Sequence, residues 1–83
     1  MRKSRDRFQY IAFIKPRRGE VDSYNIVIVK TTFEKYQETI SLMDKDGYEY
    51  YCVGDSKTEV EKEIHGDYEN RETFLYFTYR ERV

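Results

Sequence analysis

Tryptophan is absent, cysteine, histidine and proline occur once each, and four glycines are scattered along the 83 residues. Each shortage excludes something. One cysteine, Cys52, forms no internal disulfide, which suits a reducing interior and an expected cytoplasmic location. Gly19, Gly47, Gly54 and Gly66 stand alone, so there is no glycine-rich phosphate loop. His65 lies in a run of Glu and Asp and reads as an exposed histidine at a helix end. Cys52 sits mid-strand with no histidine near it in sequence, and reads as a core thiol. Asp44, Asp46 and Glu49 straddle a helix stop and lack the loop of about twelve residues that a calcium hand needs. Asp55, Glu59, Glu61 and Glu63 read as a solvated helix face. No catalytic residue, cofactor or metal site is expected, and the chain is read as non-enzymatic. The opening MRKSRDRF is basic with no apolar run behind it, so no secretory leader is expected. Nowhere do about 18 apolar residues run together, which excludes a membrane-spanning helix.

What the chain has is rings and charge. Nine tyrosines and five phenylalanines accompany 37% charged residues. A domain this short buries only about 60–65% of its unfolded surface, so a few rings, each hiding about 150–250 Å², carry much of the core or of an interface. The net charge of −1 is unevenly distributed. Residues 1–18 hold seven basic groups (Arg2, Lys3, Arg5, Arg7, Lys15, Arg17, Arg18) against Asp6, a balance of +6. The remaining eight basic and fifteen acidic groups give −7. A basic arm, residues 1–7 of a single domain 1–83, is thus set to meet an acidic partner, the chain's own acidic half, or water alone.

FQYIAFIK (8–15) and YNIVIVK (24–30) are rich in β-branched and aromatic residues and predict two strands. Pro16, Gly19 and Asp22-Ser23 between them predict a hairpin with a long, basic, mobile loop. In TTFEKYQETISLMDKDG the period changes: Phe33, Tyr36, Ile40 and Met43 share a helix face, Thr31 and Glu34 match a capping box, and Gly47 supplies a stop with Tyr48 set to touch Met43. YEYYCVG (48–54) is a third strand, with Tyr48, Tyr50 and Cys52 on one face and Tyr51 and Val53 on the other. TFLYFTYRE is a fourth. Between them, Ser56 with Glu59, Val60 with Ile64, and Gly66 as a stop favour a short helix. Thr58, Val60, Lys62 and Ile64 also alternate as a hairpin would. The expected fold is α+β: a four-stranded antiparallel sheet with one main helix, ββαβ(α)β, in a two-layer sandwich.

All four strands carry apolar residues on both faces, for example Ile11 and Phe13 against Phe8, Tyr10 and Ile14. A sheet about 19 Å wide takes two helices on one face, which leaves the other face bare and larger than the apolar patch a monomer usually exposes. Hiding some 600 Å² at about 25 cal/mol per Å² gives about 15 kcal/mol before association costs. A face-to-face homodimer through Tyr10, Tyr24, Tyr50, Phe74 and Tyr76 is the expected solution. A different partner or ligand, or a sheet that curls over its own edge, are the others. Arg2, Lys3, Arg5, Arg7, Arg17 and Arg18 are the expected partner-binding residues, a protein being favoured over nucleic acid. In the nucleic-acid alternative Tyr10, Tyr50 and Tyr76 stack bases while the same cations hold phosphates. Two things weigh against it: the Lys/Arg-Gly-aromatic signature of the common RNA-recognition sheet is missing, and the acidic half repels a phosphate backbone.

The run ISLMDKDGYEYYCV (40–53), with Gly47, Tyr48 and Glu49 in sequence, resembles the signature of a group of very small bacterial and phage domains of unknown function. In that group a helix ends in Gly, an aromatic and Glu follow, and an aromatic final strand ends in basic residues, as FLYFTYRER does here. The resemblance covers the C-terminal half, with Tyr where Trp is common, and implies a helix packed on an antiparallel sheet. It implies no activity. The basic arm and the acidic stretch 55–72 depart from the pattern. In style the chain also resembles small phage or prophage accessory proteins, many of which bind a host protein.

Overall fold

A computed structural model describes residues 8–69 and 72–82. The order is β1 (Phe8–Pro16), β2 (Ser23–Thr32), a 3-10 turn (Phe33–Lys35), α1 (Tyr36–Lys45), β3 (Glu49–Gly54), α2 (Lys57–Tyr68) and β4 (Phe74–Arg82). The four strands form one sheet in the order β3-β1-β2-β4. β1 runs antiparallel to β2 and to β3, as the hairpin reading requires, but β4 runs parallel to β2. The sheet is therefore mixed, not antiparallel throughout. The stretch 57–68 is helix, not hairpin.

The reason lies in the connections. Parallel strands need a crossover, and crossovers are right-handed in nearly all proteins. β2 reaches β3 through α1 by stepping past β1 in one direction, and β3 reaches β4 through α2 by stepping back across the whole sheet. Two right-handed crossovers in opposite directions place their helices on opposite faces. The side chains agree. Ala12, Ile26, Ile28 and Cys52 pack with Val60 and Ile64 of α2, joined by Tyr10, Tyr24, Leu75 and Phe77. The alternate residues Ile11, Phe13, Val27 and Val29 pack with Met43 of α1, joined by Tyr36, Ile40, Tyr48 and Val53. The expected two-layer sandwich put both helices on one face. Here each face of the sheet has its own helix, and the premise of a helix-free face fails.

Local departures have local causes. Thr31 is fully buried at the end of β2, where its hydroxyl meets that of Thr39 at 3.3 Å. The cap shifts by one residue, so Thr32 Oγ1 accepts from Lys35 N–H at 3.3 Å. That leaves Phe33 in the 3-10 turn, 60% exposed, and α1 buries Thr39 with Met43 instead. At the far end Gly47 takes φ +87°, and Tyr48 N–H donates to Met43 O at 3.0 Å. Lys15 Nζ donates to Asp46 O at 2.8 Å and completes this helix end with a cation. A Cβ on Gly47 would lie 3.3 Å from Lys15 Cε. α2 begins as its capping pattern predicts: Ser56 Oγ accepts from Glu59 N–H at 3.1 Å, while the Glu59 carboxylate accepts from Asp55 N–H at 2.9 Å. It does not stop at Gly66 but runs on to Tyr68, whose ring lies 6.2 Å from Tyr24 and 6.5 Å from Tyr51.

A bulge in β3 revises another reading. Ala12 pairs with Cys52 and Phe13 with Tyr50, so Tyr51 is an extra residue on β3. Tyr51 thereby joins Cys52 on the α2 face, and its hydroxyl donates to Asp67 of α2. Tyr50 turns to the α1 face, its ring 6.5 Å from Phe13. Strict alternation had put Tyr50 with Cys52.

Because α2 is the only helix packed on its face among the described residues and Ile64 is fully buried there, Ile64→Ala should cost about 2–5 kcal/mol. The expected result is a lower urea midpoint with an unchanged slope. A cost below about 1 kcal/mol would show that α2 is not integral to the core.

Candidate interaction surface

The aromatics expected to form one interface are split between two faces. Tyr10 and Tyr24 are half-buried on the α2 face. On the α1 side Tyr50 belongs to one sheet border, and Phe74 and Tyr76 to the opposite one, on β4. Of the expected cations, Arg2, Lys3, Arg5 and Arg7 lie outside the described residues, Arg18 is exposed, and Arg17 is committed elsewhere.

Arg17 organises the hairpin loop. Its N–H donates to Ser23 O at 2.9 Å and closes the turn, in which Gly19 and Asp22 take φ +78° and +54°. The guanidinium donates Nε and Nη2 to the two Glu20 carboxylate oxygens at 3.0 and 3.2 Å, and Nη1 to Asn25 Oδ1 at 2.8 Å. It also lies over the Tyr76 ring, 4.2 Å from its centre. The hydrogen bond with Glu20 raises the Arg17 pKa and lowers that of Glu20. The hairpin loop expected from sequence to be long, basic and mobile is thus folded back onto the sheet, with its Arg17 cation paired. It covers one side of Tyr76, whose ring remains 46% exposed. Phe74, beside Ser23 in the register, is 62% exposed.

β4 borders the sheet, and its two faces differ. On the α1 side it presents Phe74, Tyr76, Thr78, Arg80 and Arg82; on the α2 side, Leu75, Phe77, Tyr79 and Glu81. Arg82 is tied to Glu38 of α1 at 3.1 Å. Arg80 is exposed and enters no ion pair among the described residues. Phe77 lies against His65, ring centres 5.3 Å apart. Tyr79 is 45% exposed beneath Lys57 Nζ, which sits 4.3 Å from the ring centre. Tyr10, Ile28, Lys30, Lys57 and Tyr79 line an open hollow of about 310 Å³ on this face. Lys30 Nζ lies 4.5 Å from the ring centre of Phe8.

Asn25, Glu20, Lys57, Tyr79 and Arg80 were missed at the sequence level. Their roles depend on which residue stands across from which, and the parallel β2–β4 register is not readable from either strand alone.

Cys52 is buried and its thiol is pushed up to about 11, by burial first and then by Glu63 and Asp67. That is the reverse of an activated nucleophile. Tyr50 is raised to about 12 by burial and by Tyr36, and Tyr51 is raised further by burial and Asp67. Among the described residues no group of His, Cys, Asp or Glu is placed to hold a metal ion, and no helix is long and apolar enough to cross a membrane. Compared with known proteins, the chain matches no family model, no curated protein and no solved structure.

Two tests follow from this geometry. Replacing Arg17 with Ala should speed hydrogen exchange at the Phe74 amide, which donates to Asp22 O at 2.8 Å beside the loop, and should shift the Tyr76 ring resonances. Arg17→Lys should behave alike, since an ammonium cannot reproduce the fork that holds Glu20 and Asn25 together. Unchanged exchange in both variants would show that the loop holds itself. For Cys52, the unfolded thiol ionises near 9 while the folded one keeps its proton to about 11. Unfolding then releases a proton in that window. The Cys52 contribution to stability is therefore present below pH 9 and declines as pH rises toward 11. Cys52→Ala should flatten that part of the stability–pH curve, and a curve of unchanged slope would refute the assignment.

Proposed function

We propose that this is a small binding protein without catalytic machinery, which engages a protein partner along the β4 border of its sheet. One observation carries the reading: Phe74 and Tyr76 stand 62% and 46% exposed on a strand whose outer edge has no neighbouring strand among the described residues. Large rings beside arginines are the residues that dominate protein interfaces. Tyr76 is also held in place by Arg17, so little freedom is lost when it is buried. The setting we propose is that of a phage or prophage accessory protein acting on a host protein in the cytoplasm, with self-association as part of its action. Face-to-face stacking through a bare sheet face is dropped, because each face carries a helix.

A second reading rests on a different feature. The hollow between Tyr10 and Tyr79, flanked by Lys30 and Lys57, combines rings with cations, as single-stranded nucleic-acid readers do. The two readings separate cleanly. Titration with generic RNA and DNA oligonucleotides at two salt concentrations should show no tight binding if the protein reading holds. Affinity falling by about one log-log slope unit per phosphate contact, and lost in a Lys30→Ala/Lys57→Ala variant, would overturn it in favour of nucleic acid. In the protein reading, Phe74→Ala and Tyr76→Ala should abolish capture of the partner by cross-linking while leaving the folded spectrum intact.

A further inference from the structure

The two borders of the sheet are guarded unequally. β3 spans only Glu49–Gly54 and is bulged at Tyr51, and both features discourage pairing with another chain. β4 runs for nine residues with no proline and an unbroken register against β2. Phe74 N–H donates inward, to Asp22 O at 2.8 Å. Main-chain groups alternate sides along a strand, so Leu75, Phe77, Tyr79 and Glu81 turn their N–H and C=O groups to the open edge. The edge is long and continuous, aromatic over its first half and charged at Arg80, Glu81 and Arg82. Among the described residues no strand pairs with it, so it can template a further strand whose side chains answer those charges.

The side chains say which strand. On the α1 side, the first half of β4 is aromatic (Phe74, Tyr76), the centre is Thr78, and the second half is cationic (Arg80, Arg82). Laid antiparallel against itself about Thr78, the strand sets Tyr76 opposite Arg80, Phe74 opposite Arg82, and Thr78 opposite itself. On the other face Phe77 meets Tyr79 and Leu75 meets Glu81. Opposed residues fall on the same face, as antiparallel pairing demands. The residues with outward main-chain groups meet one another (Leu75 with Glu81, Phe77 with Tyr79), so each such pair exchanges two hydrogen bonds. Aromatic pairs and ring–guanidinium pairs are among the favourable cross-strand contacts. No arginine meets an arginine and no glutamate a glutamate.

From this self-complementarity we infer that the occupant of the β4 edge is the β4 strand of a second copy, antiparallel about a two-fold axis at Thr78, which joins two four-stranded sheets into one continuous sheet. The inference rests on the reading of β4 as the binding border and specifies its partner. It also gives exposed Arg80 and half-exposed Tyr76 a role that the single chain leaves open.

Thr78 is the position to test. Its own main-chain groups point inward, so across the axis it forms a non-hydrogen-bonded pair with Cα atoms about 4.5 Å apart, inside the range a disulfide spans. Thr78→Cys, mildly oxidised as the full-length folded protein, should give a covalent dimer on a non-reducing denaturing gel. Tyr76→Cys, which faces Arg80 and not its own copy, should not, and neither should the wild type, whose Cys52 is buried. In sedimentation the wild type should be a dimer. Arg80→Glu should weaken it by about tenfold, losing two cation–π contacts per dimer. Tyr79→Pro should do likewise by deleting an outward donor, a place where edge strands accept proline. A wild-type monomer at high micromolar concentration overturns the inference, and so does a dimer that Thr78→Cys fails to cross-link. Either result removes the second copy as occupant of the edge, and a monomer also removes self-association from the functional reading. Both leave the β4 border open to a different protein, which partner capture with Phe74→Ala and Tyr76→Ala decides.

Discussion

Ile11 to Phe13 on β1 and Ile26 to Val29 on β2 are buried on both sides of one hydrogen-bonded ladder, every one of them at most 2% exposed. This doubly buried pair of strands is the constraint from which the rest follows. A half-buried strand needs one cover, whereas a strand apolar on both faces needs two, and a chain of this length has two helices to provide them. Placing one on each face obliges the path to cross the sheet in both directions. That in turn sends β3 and β4 to opposite borders and makes β4 parallel to β2. The mixed sheet is a consequence of the central ladder and not an independent choice.

The same ladder explains what the sequence revealed and what it did not. Four strands and the main helix are legible because their signals are local: β-branched runs, a change of period after Lys30, and Gly47 as a stop. Residues 56–68 were half legible, since Ser56 and Glu59 announce a helix while Val60 and Ile64 suit helix and strand alike. The contiguous IAFI and IVIV runs were the available clue to a helix on each face, because strands covered on both sides read as unbroken apolar stretches. Read instead as a surplus, they pointed to an external partner for a bare face. The direction of β4 depends on which way α2 crosses, which no residue of β4 encodes.

Side-chain placement at the site shows the limit more sharply. Alternation alone put Tyr50 with Cys52, and one extra residue, Tyr51, reversed it. Arg17 was legible as a cation, but its commitment to Glu20, Asn25 and Tyr76 arises only once the hairpin turns and β4 lies alongside β2. A basic residue counted in sequence as available for a partner proves to be an internal clamp. The available positive charge of the described surface shifts accordingly toward Arg18, Arg80, Lys30 and Lys57.

The borders complete the logic of the covers. Once each face has its helix, exposed rings gather along the β4 rim at Phe74, Tyr76 and Tyr79, while Phe8, Val21, Phe33, Leu42 and Tyr50 are exposed singly elsewhere. Rims differ from faces in what they bind. A bare face takes another apolar surface with little preference for angle or register, whereas a rim offers main-chain donors and acceptors at fixed spacing and so selects a strand, in a particular direction and register. The arginines at one end of β4 and the rings at the other give the rim a polarity that an arbitrary strand would not match. On the proposed reading of β4 as the binding border, partner choice becomes a matter of strand register, with ring burial adding affinity to a geometry that the main chain sets.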